Sequence, residues 1–199
     1  MIAVVDYGAG NLRSIRNACV NLGFKPEIVS KSRRLGEADC IILPGVGSFG
    51  EAMARLEVFR RDLSDAVLRG VPFLGLCLGI QVLFEASEES PGVSGLGLLE
   101  GCCRRFPEGV KVPHMGWNNV SLVKETPLFD GVEENSLFYF VHSYYVIPKK
   151  ESVVAGVTDY GLRFPSVVAE NNVFATQFHP EKSGESGLTV LRNFLELSR

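Results

Sequence analysis

Three short stretches in the first half of this chain are apolar throughout: "IAVV" from Ile2, "CIIL" from Cys40 and "VPFLGL" from Val71. A strand with one wet face alternates apolar and polar residues, so a strand with no polar residue is buried on both faces. "PEIVS" from Pro26 reads as a further short strand. Leu12, Ile15, Cys19 and Leu22 recur at helical spacing behind Asn11, a residue type that caps helices. Residues 52–68 repeat the helical pattern, in one or two pieces, and "LGIQVLFEASE" from Leu78 reads as another helix. Strands buried on both faces and alternating with helices predict an α/β fold, an open, mostly parallel central sheet flanked by helices.

The second half reads differently. From about Gly95 to Phe178 the pattern is strand after strand: "GWNNVSLV", "LFYFVHSYYV" and "SVVAGVT". "SVVAE" and "VFATQF" flank Asn171-Asn172, a pair suited to a two-residue hairpin turn. A last helix spans 184–197. An antiparallel β region is therefore added to the α/β half. No repeat or linker divides the 199 residues, which predicts one domain over 1–199.

Charge and cysteine usage exclude several classes. The net charge is −3 with no basic run, so neither nucleic acid nor a membrane surface is an expected partner. The first apolar run stops at Asp6 and has no cationic flank, which argues for a first strand and against a signal peptide. No apolar run is long enough to span a bilayer. Five cysteines, an odd number without a CxxC, predict a reduced, cytoplasmic protein. Cys102 and Cys103 are adjacent, but no nearby Cys or His completes a metal set, so they read as small hydrophobes and no metal is expected.

Chemistry enters at Cys77. The order strand, Gly75-Leu76-Cys77-Leu78-Gly79, helix is that of a nucleophile elbow with sulfur in place of oxygen. In a doubly wound sheet such a strand end is where sites form. The helix that starts near Leu78 turns its free N–H groups toward the sulfur and favours the thiolate. The motif alone leaves a buried structural cysteine equally open. A nucleophile needs a base, and there are three histidines. His114 and His142 have no acid close in sequence. His179 precedes Glu181 by two residues, and on an extended segment such residues project to one side, about 6–7 Å apart. A glutamate there can hold one ring nitrogen and leave the other to face a thiol, the base-and-orienter logic of a triad. His142 reads as a packed strand residue.

An oxyanion needs donors. The backbone N–H of Leu78, just after Cys77, is one. The loop "PGVGSFG" from Pro44 follows another strand end, and its glycines let Val46 or Gly47 aim a second. A Walker-type phosphate loop is excluded because no Gly-Lys-Ser/Thr follows. "YGAGN" from Tyr7 has two glycines of GxGxxG and Arg13 in place of the third, so it reads as a turn with a helix cap, or a loop facing a partner.

"PGVGSFG", "FLGLCLGIQ" and "QFHPEKS" resemble the signature segments of the class I, triad-type glutamine amidotransferases. "DYGAGNLRS", "SEESPGVSGLGLLEG", "VPHMGWN" and "YFVHSYY" narrow the resemblance to the glutaminase subunits of histidine biosynthesis, over residues 6–183. The resemblance implies that Cys77, His179 and Glu181 are the triad of a cofactor-free hydrolysis of glutamine through a cysteinyl thioester. It implies substrate contacts at Gln81 and at the backbone of Ser143 and Tyr144. It also implies a heterodimer with a (β/α)8-barrel cyclase subunit that takes the ammonia. Asn11, Trp117, Asn118, Tyr139 and Lys182 are the residues expected toward that partner. Rival readings are a free-standing cysteine hydrolase of similar fold and an inactive regulatory subunit.

Overall fold

A computed structural model describes residues 1–198. In chain order the regular elements are β1 (Ile2–Val5), α1 (Leu12–Asn21), β2 (Pro26–Val29), β3 (Cys40–Leu43), α2 (Phe49–Leu56), α3 (Arg60–Leu68), β4 (Phe73–Leu76), α4 (Leu78–Val82), β5 (Ala86–Ser87) and β6 (Gly101–Arg105). Then come β7 (His114–Asn119), β8 (Ser121–Leu122), β9 (Leu137–His142), β10 (Tyr144–Pro148), β11 (Val154–Asp159), β12 (Arg163–Glu170), β13 (Val173–Thr176) and α5 (Gly184–Glu196).

The central sheet has eight strands in the order β2-β1-β3-β4-β13-β12-β11-β8. It is parallel from β2 to β13 and antiparallel beyond. The wholly apolar strands are buried on both faces, as expected. Ala3, Val5, Ile41, Leu43 and Phe73 enter one core layer with Phe49, Met53 and Leu56 of α2 and Leu63 of α3. Their neighbours Val4, Ile42 and Leu74 enter the other, with Ile15 and Cys19 of α1 and Val190, Leu191 and Phe194 of α5. The period of two along each strand distributes one apolar run between two layers.

Two segments differ from the sequence expectation. The helix begun at Leu78 stops at Val82 and does not run on through "LFEASE". Leu96 N–H bonds to Val82 O, Leu99 N–H to Leu83 O and Glu85 N–H to Gly101 O, so a neighbouring segment takes the carbonyls and donors a longer helix would need. "LFYFVHSYYV" is two strands broken at Ser143: β9 pairs with β7, whereas β10 pairs with β6. Residues 52–68 do form helix in two pieces, and Asn171 takes the positive φ of 52° that its hairpin turn requires. Cys102 and Cys103 lie on β6, the latter buried with its sulfur on the Gln81 carbonyl. No described helix is long and apolar enough to cross a membrane.

The arrangement brings one end of the parallel strands together. Tyr7 follows β1, the Pro44–Phe49 loop follows β3, Cys77 follows β4 and His179 follows β13.

Candidate active site

Cys77 stands at the junction of β4 and α4 with φ 55° and ψ −104°, a left-handed conformation that costs a non-glycine residue free energy. The turn is tight because α4 lies directly on the strands. A Cβ on Gly75 would fall 2.7 Å from Gly79 O, and one on Gly79 would fall 2.3 Å from Leu43 O. Cys77 N–H bonds to Thr176 O at 2.9 Å, which ties the elbow to β13. Gln177, fully buried, places its Nε2 3.4 Å from Cys77 O and 3.9 Å from the sulfur.

His179 and Glu181 meet, though not along an extended segment: Pro180–Lys182 form a 3-10 turn behind His179, and that turn brings the carboxylate back to the ring. His179 Nδ1 lies 2.9 Å from Glu181 Oε1, and both side chains are buried. A carboxylate only accepts, so Nδ1 carries a proton and Nε2 is the nitrogen left to exchange one with Cys77. Among the described residues Nε2 has no hydrogen bond of good geometry. Burial alone would depress this histidine, but the Cys77 sulfur, and after it Glu181, more than reverse that and raise its pKa from 6.5 to about 10. An imidazole so poised beside a thiol can take the thiol's proton and hold it. Backbone bonds fix the ring's place: His179 N–H donates to Tyr139 O at 3.0 Å, and Ser183 Oγ donates to His179 O at 2.6 Å.

Cys77 and His179 line one cavity of about 370 Å³. Val46, Gly47, Leu78, Gln81, Ser143 and Tyr144 line it too. Gln81 is buried, with Nε2 3.2 Å from Tyr144 O and 3.4 Å from Gln177 Oε1. The Tyr144 carbonyl also accepts from His142, so this oxygen is committed within the chain. The Leu78 N–H donates to Gly45 O at 3.3 Å, and Gly47 has a φ of 101°. His142 lines the cavity as well and pairs with His114, buried beside it.

The sequence reading did not single out Gln177, Glu89 or Tyr7. Glu89 lines the cavity and accepts the Phe49 N–H at 2.6 Å, fixing the far end of the Pro44–Phe49 loop. Gln177 had a local signal, since it shares the strand end of His179. Glu89 had none, because its position depends on the fold of residues 82–103.

The residues expected toward a partner divide. Trp117 and Tyr139 are opposite each other on β7 and β9 with ring centroids 6.0 Å apart, and Lys182 Nζ lies 5.8 Å over the tyrosine ring. Asn118, by contrast, is bonded inward, to Asp159 O and His114. Asn11 caps α1, accepting from Ser14 N–H at 3.3 Å.

Residues 3–197 match the family description "Glutamine amidotransferase class-I". The chain is 54% identical over 197 residues to a Methanocaldococcus jannaschii protein named imidazole glycerol phosphate synthase subunit HisH, covering 99% of this chain and 100% of that one. It is 53% identical to the protein of the same name from Methanothermobacter thermautotrophicus, over the whole of both chains. Among solved structures it is similar to a glutamine amidotransferase (TM-score 0.79, 23% identity, covering 100% of this chain and 99% of that one). It is equally similar to PurLQS from Thermotoga maritima (TM-score 0.79, 22% identity, 98% and 97% covered). At such identities these structures speak for the fold alone.

Proposed function

The chain belongs to the class-I glutamine amidotransferases and, within them, to the HisH subunits of imidazole glycerol phosphate synthase; on that premise we propose that Cys77, His179 and Glu181 carry out its glutaminase reaction. The observation that supports this most is the bond from His179 Nδ1 to Glu181, which leaves Nε2 to exchange a proton with a cysteine held on a strained turn.

Glutamine is hydrolysed to glutamate and ammonia. Cys77 Sγ attacks the side-chain amide carbon while His179 Nε2 takes the thiol proton. The carbonyl oxygen becomes an oxyanion, met by backbone N–H groups of Leu78 and of Val46 or Gly47. His179 returns its proton to the nitrogen, the C–N bond breaks and ammonia leaves a glutamyl thioester. Water, deprotonated by His179, attacks the thioester, and glutamate departs as the thiol re-forms. Gln81 and the backbone of Ser143 and Tyr144 contact the amino-acid end of the substrate. Glu89, the acid on the cavity wall, suits its α-ammonium group.

The partner is a (β/α)8-barrel cyclase subunit, and the pair is a cytoplasmic heterodimer. Ammonia set free in neutral water would mostly become ammonium, which is no nucleophile, so it passes directly to the cyclase. Trp117, Tyr139 and Lys182 lie toward that subunit, with Asn11 and Asn118 at the margin. The assembled pair with Cys77→Ser tests this division. Product formation from glutamine should vanish, while formation from ammonium salts at alkaline pH persists. Loss of both routes in an intact complex would overturn the division, and continued use of glutamine would overturn the assignment of Cys77.

A further inference from the structure

Among the described residues the hydroxyl of Tyr7 is buried and has no hydrogen-bond partner. Such an atom calls for a reason, because a buried donor without an acceptor destabilises the state that contains it. Its surroundings supply one. A Cβ placed on Gly45 would lie 2.9 Å from Tyr7 Oη and 2.7 Å from Leu78 Cβ, so the hydroxyl, Gly45 and Leu78 share one packed spot. Burial, and then the nearby Cys77, push the phenol well above its usual range, while Arg55 opposes them. The group therefore stays a neutral O–H.

A second observation concerns the same spot. Leu78 N–H is spent on the Gly45 carbonyl, at 3.3 Å. If that N–H is to serve an oxyanion on substrate, the Gly45 carbonyl must give it up, and at this buried residue it then needs another donor. Side by side, then, lie a donor without an acceptor and a carbonyl whose one donor the oxyanion would claim. We propose that Tyr7 is a positioning residue whose hydroxyl receives the Gly45 carbonyl when that carbonyl leaves Leu78, so that the turned loop is stabilised and the Leu78 N–H is freed. The inference rests on the glutaminase reading above.

Tyr7→Phe in the assembled pair tests it, because the change removes one oxygen and keeps the ring. Expected are a kcat for glutamate release lower by about tenfold, the worth of one good hydrogen bond, and an unchanged KM. The melting temperature should hold or rise, because the resting state loses an unsatisfied group. Alkylation of Cys77 by iodoacetamide, which builds no oxyanion, should keep its wild-type rate. An unchanged kcat overturns the proposal. So does a fall in kcat matched by a lower melting temperature, which would give the hydroxyl a partner at rest. So does alkylation slowed in step with turnover, which would put the hydroxyl on the sulfur. A wild-type pair that releases no glutamate sinks the glutaminase reading itself, whereas an active wild type with an equally active Tyr7→Phe sinks this inference alone.

Discussion

His114 Nδ1 lies 3.0 Å from His142 Nε2, and every proton of the pair can be assigned. His142 Nδ1 is 2.8 Å from the Tyr144 carbonyl, which only accepts, so that nitrogen carries the hydrogen. His142 Nε2 is then the acceptor of His114 Nδ1–H. His114 Nε2 in turn accepts from Asn118 Nδ2, whose amide also donates to Asp159 O. A further proton on either ring would set two N–H groups face to face. Burial lowers His114 to about 4. Burial, opposed by the Tyr144 carbonyl and reinforced by His114 and His179, lowers His142 to about 3.

This pair predicts an acid limb in the stability profile. The unfolded chain takes up protons below its ordinary histidine pKa of about 6.5, whereas the folded pair resists until about 3 to 4. Folded pKa values depressed in this way give stability that is full above pH 6.5 and is lost as the pH falls toward 4. The melting temperature should drop over that range, and His142→Gln should make the drop shallower even if it lowers stability at neutral pH. An unchanged slope would mean the pair titrates as it does in the unfolded chain.

Cys77 predicts a separation of stability from activity. At φ 55° a side chain is strained, and glycine is not. Cys77→Gly should be more stable than Cys77→Ala by about 1 kcal/mol, although glycine is ordinarily the worse residue for a folded chain. Both should be inactive. Urea unfolding of the two variants measures the difference, and alanine proving the more stable would remove the strain from the account.

Which features were legible in the sequence follows from which were local. Strands such as "CIIL" show because being apolar throughout has one structural meaning, and Cys77 shows because its glycines mark the elbow. His179 and Glu181 show because they are only two residues apart, although the structure joins them through a 3-10 turn at Pro180–Lys182 and not along an extended chain. The early end of α4 does not show, because it is decided by Leu96, Leu99 and Gly101 arriving from farther along the chain. Nor do the roles of Glu89 and Tyr7, since Glu89 is 40 residues from Phe49, whose N–H it accepts. The break at Ser143 is hidden because "FVHSYY" is apolar enough to be one strand, and only its pairing with two different sheets divides it.

His179, raised by Cys77 and then by Glu181, predicts an alkaline limb opposite to the acid one. The folded pKa of His179 is raised from 6.5 to about 10, so the stability it gives is full below pH 6.5 and lost as the pH rises through 10. Glu181→Gln keeps the shape but removes the charge. It should shrink that alkaline limb only in part, since Cys77 raises His179 more than Glu181 does, and it should lower glutamine turnover by about tenfold or more, because the imidazolium loses its counter-ion. Calorimetry across pH 6 to 10 and steady-state glutamate release check the two halves. A variant with wild-type turnover would mean that Glu181 only fills space.

The outer face of the β7–β9 ribbon predicts where a partner subunit docks. Alternation along β7 turns His114 inward and leaves Met115 and Trp117 62% and 55% exposed, and on β9 it buries Phe138 and Phe140 while Leu137 is 53% exposed. Large apolar side chains grouped on one wet face, rimmed here by Lys182, mark a surface that another protein covers. The same lysine follows Glu181, so a partner on this face would stand directly over the end of the triad. Trp117→Ala should weaken the complex by about 2 kcal/mol, a typical value for a buried aromatic anchor. It should leave the subunit's own melting temperature nearly unchanged, because the exposed ring supports little of the core. Lys182→Ala should slow association, most at low salt, as a rim charge does. Titration calorimetry on the purified subunits separates these effects. If Trp117→Ala instead destabilises the free subunit and binds the partner subunit as tightly as wild type, the ring belongs to the fold and the docking face lies elsewhere.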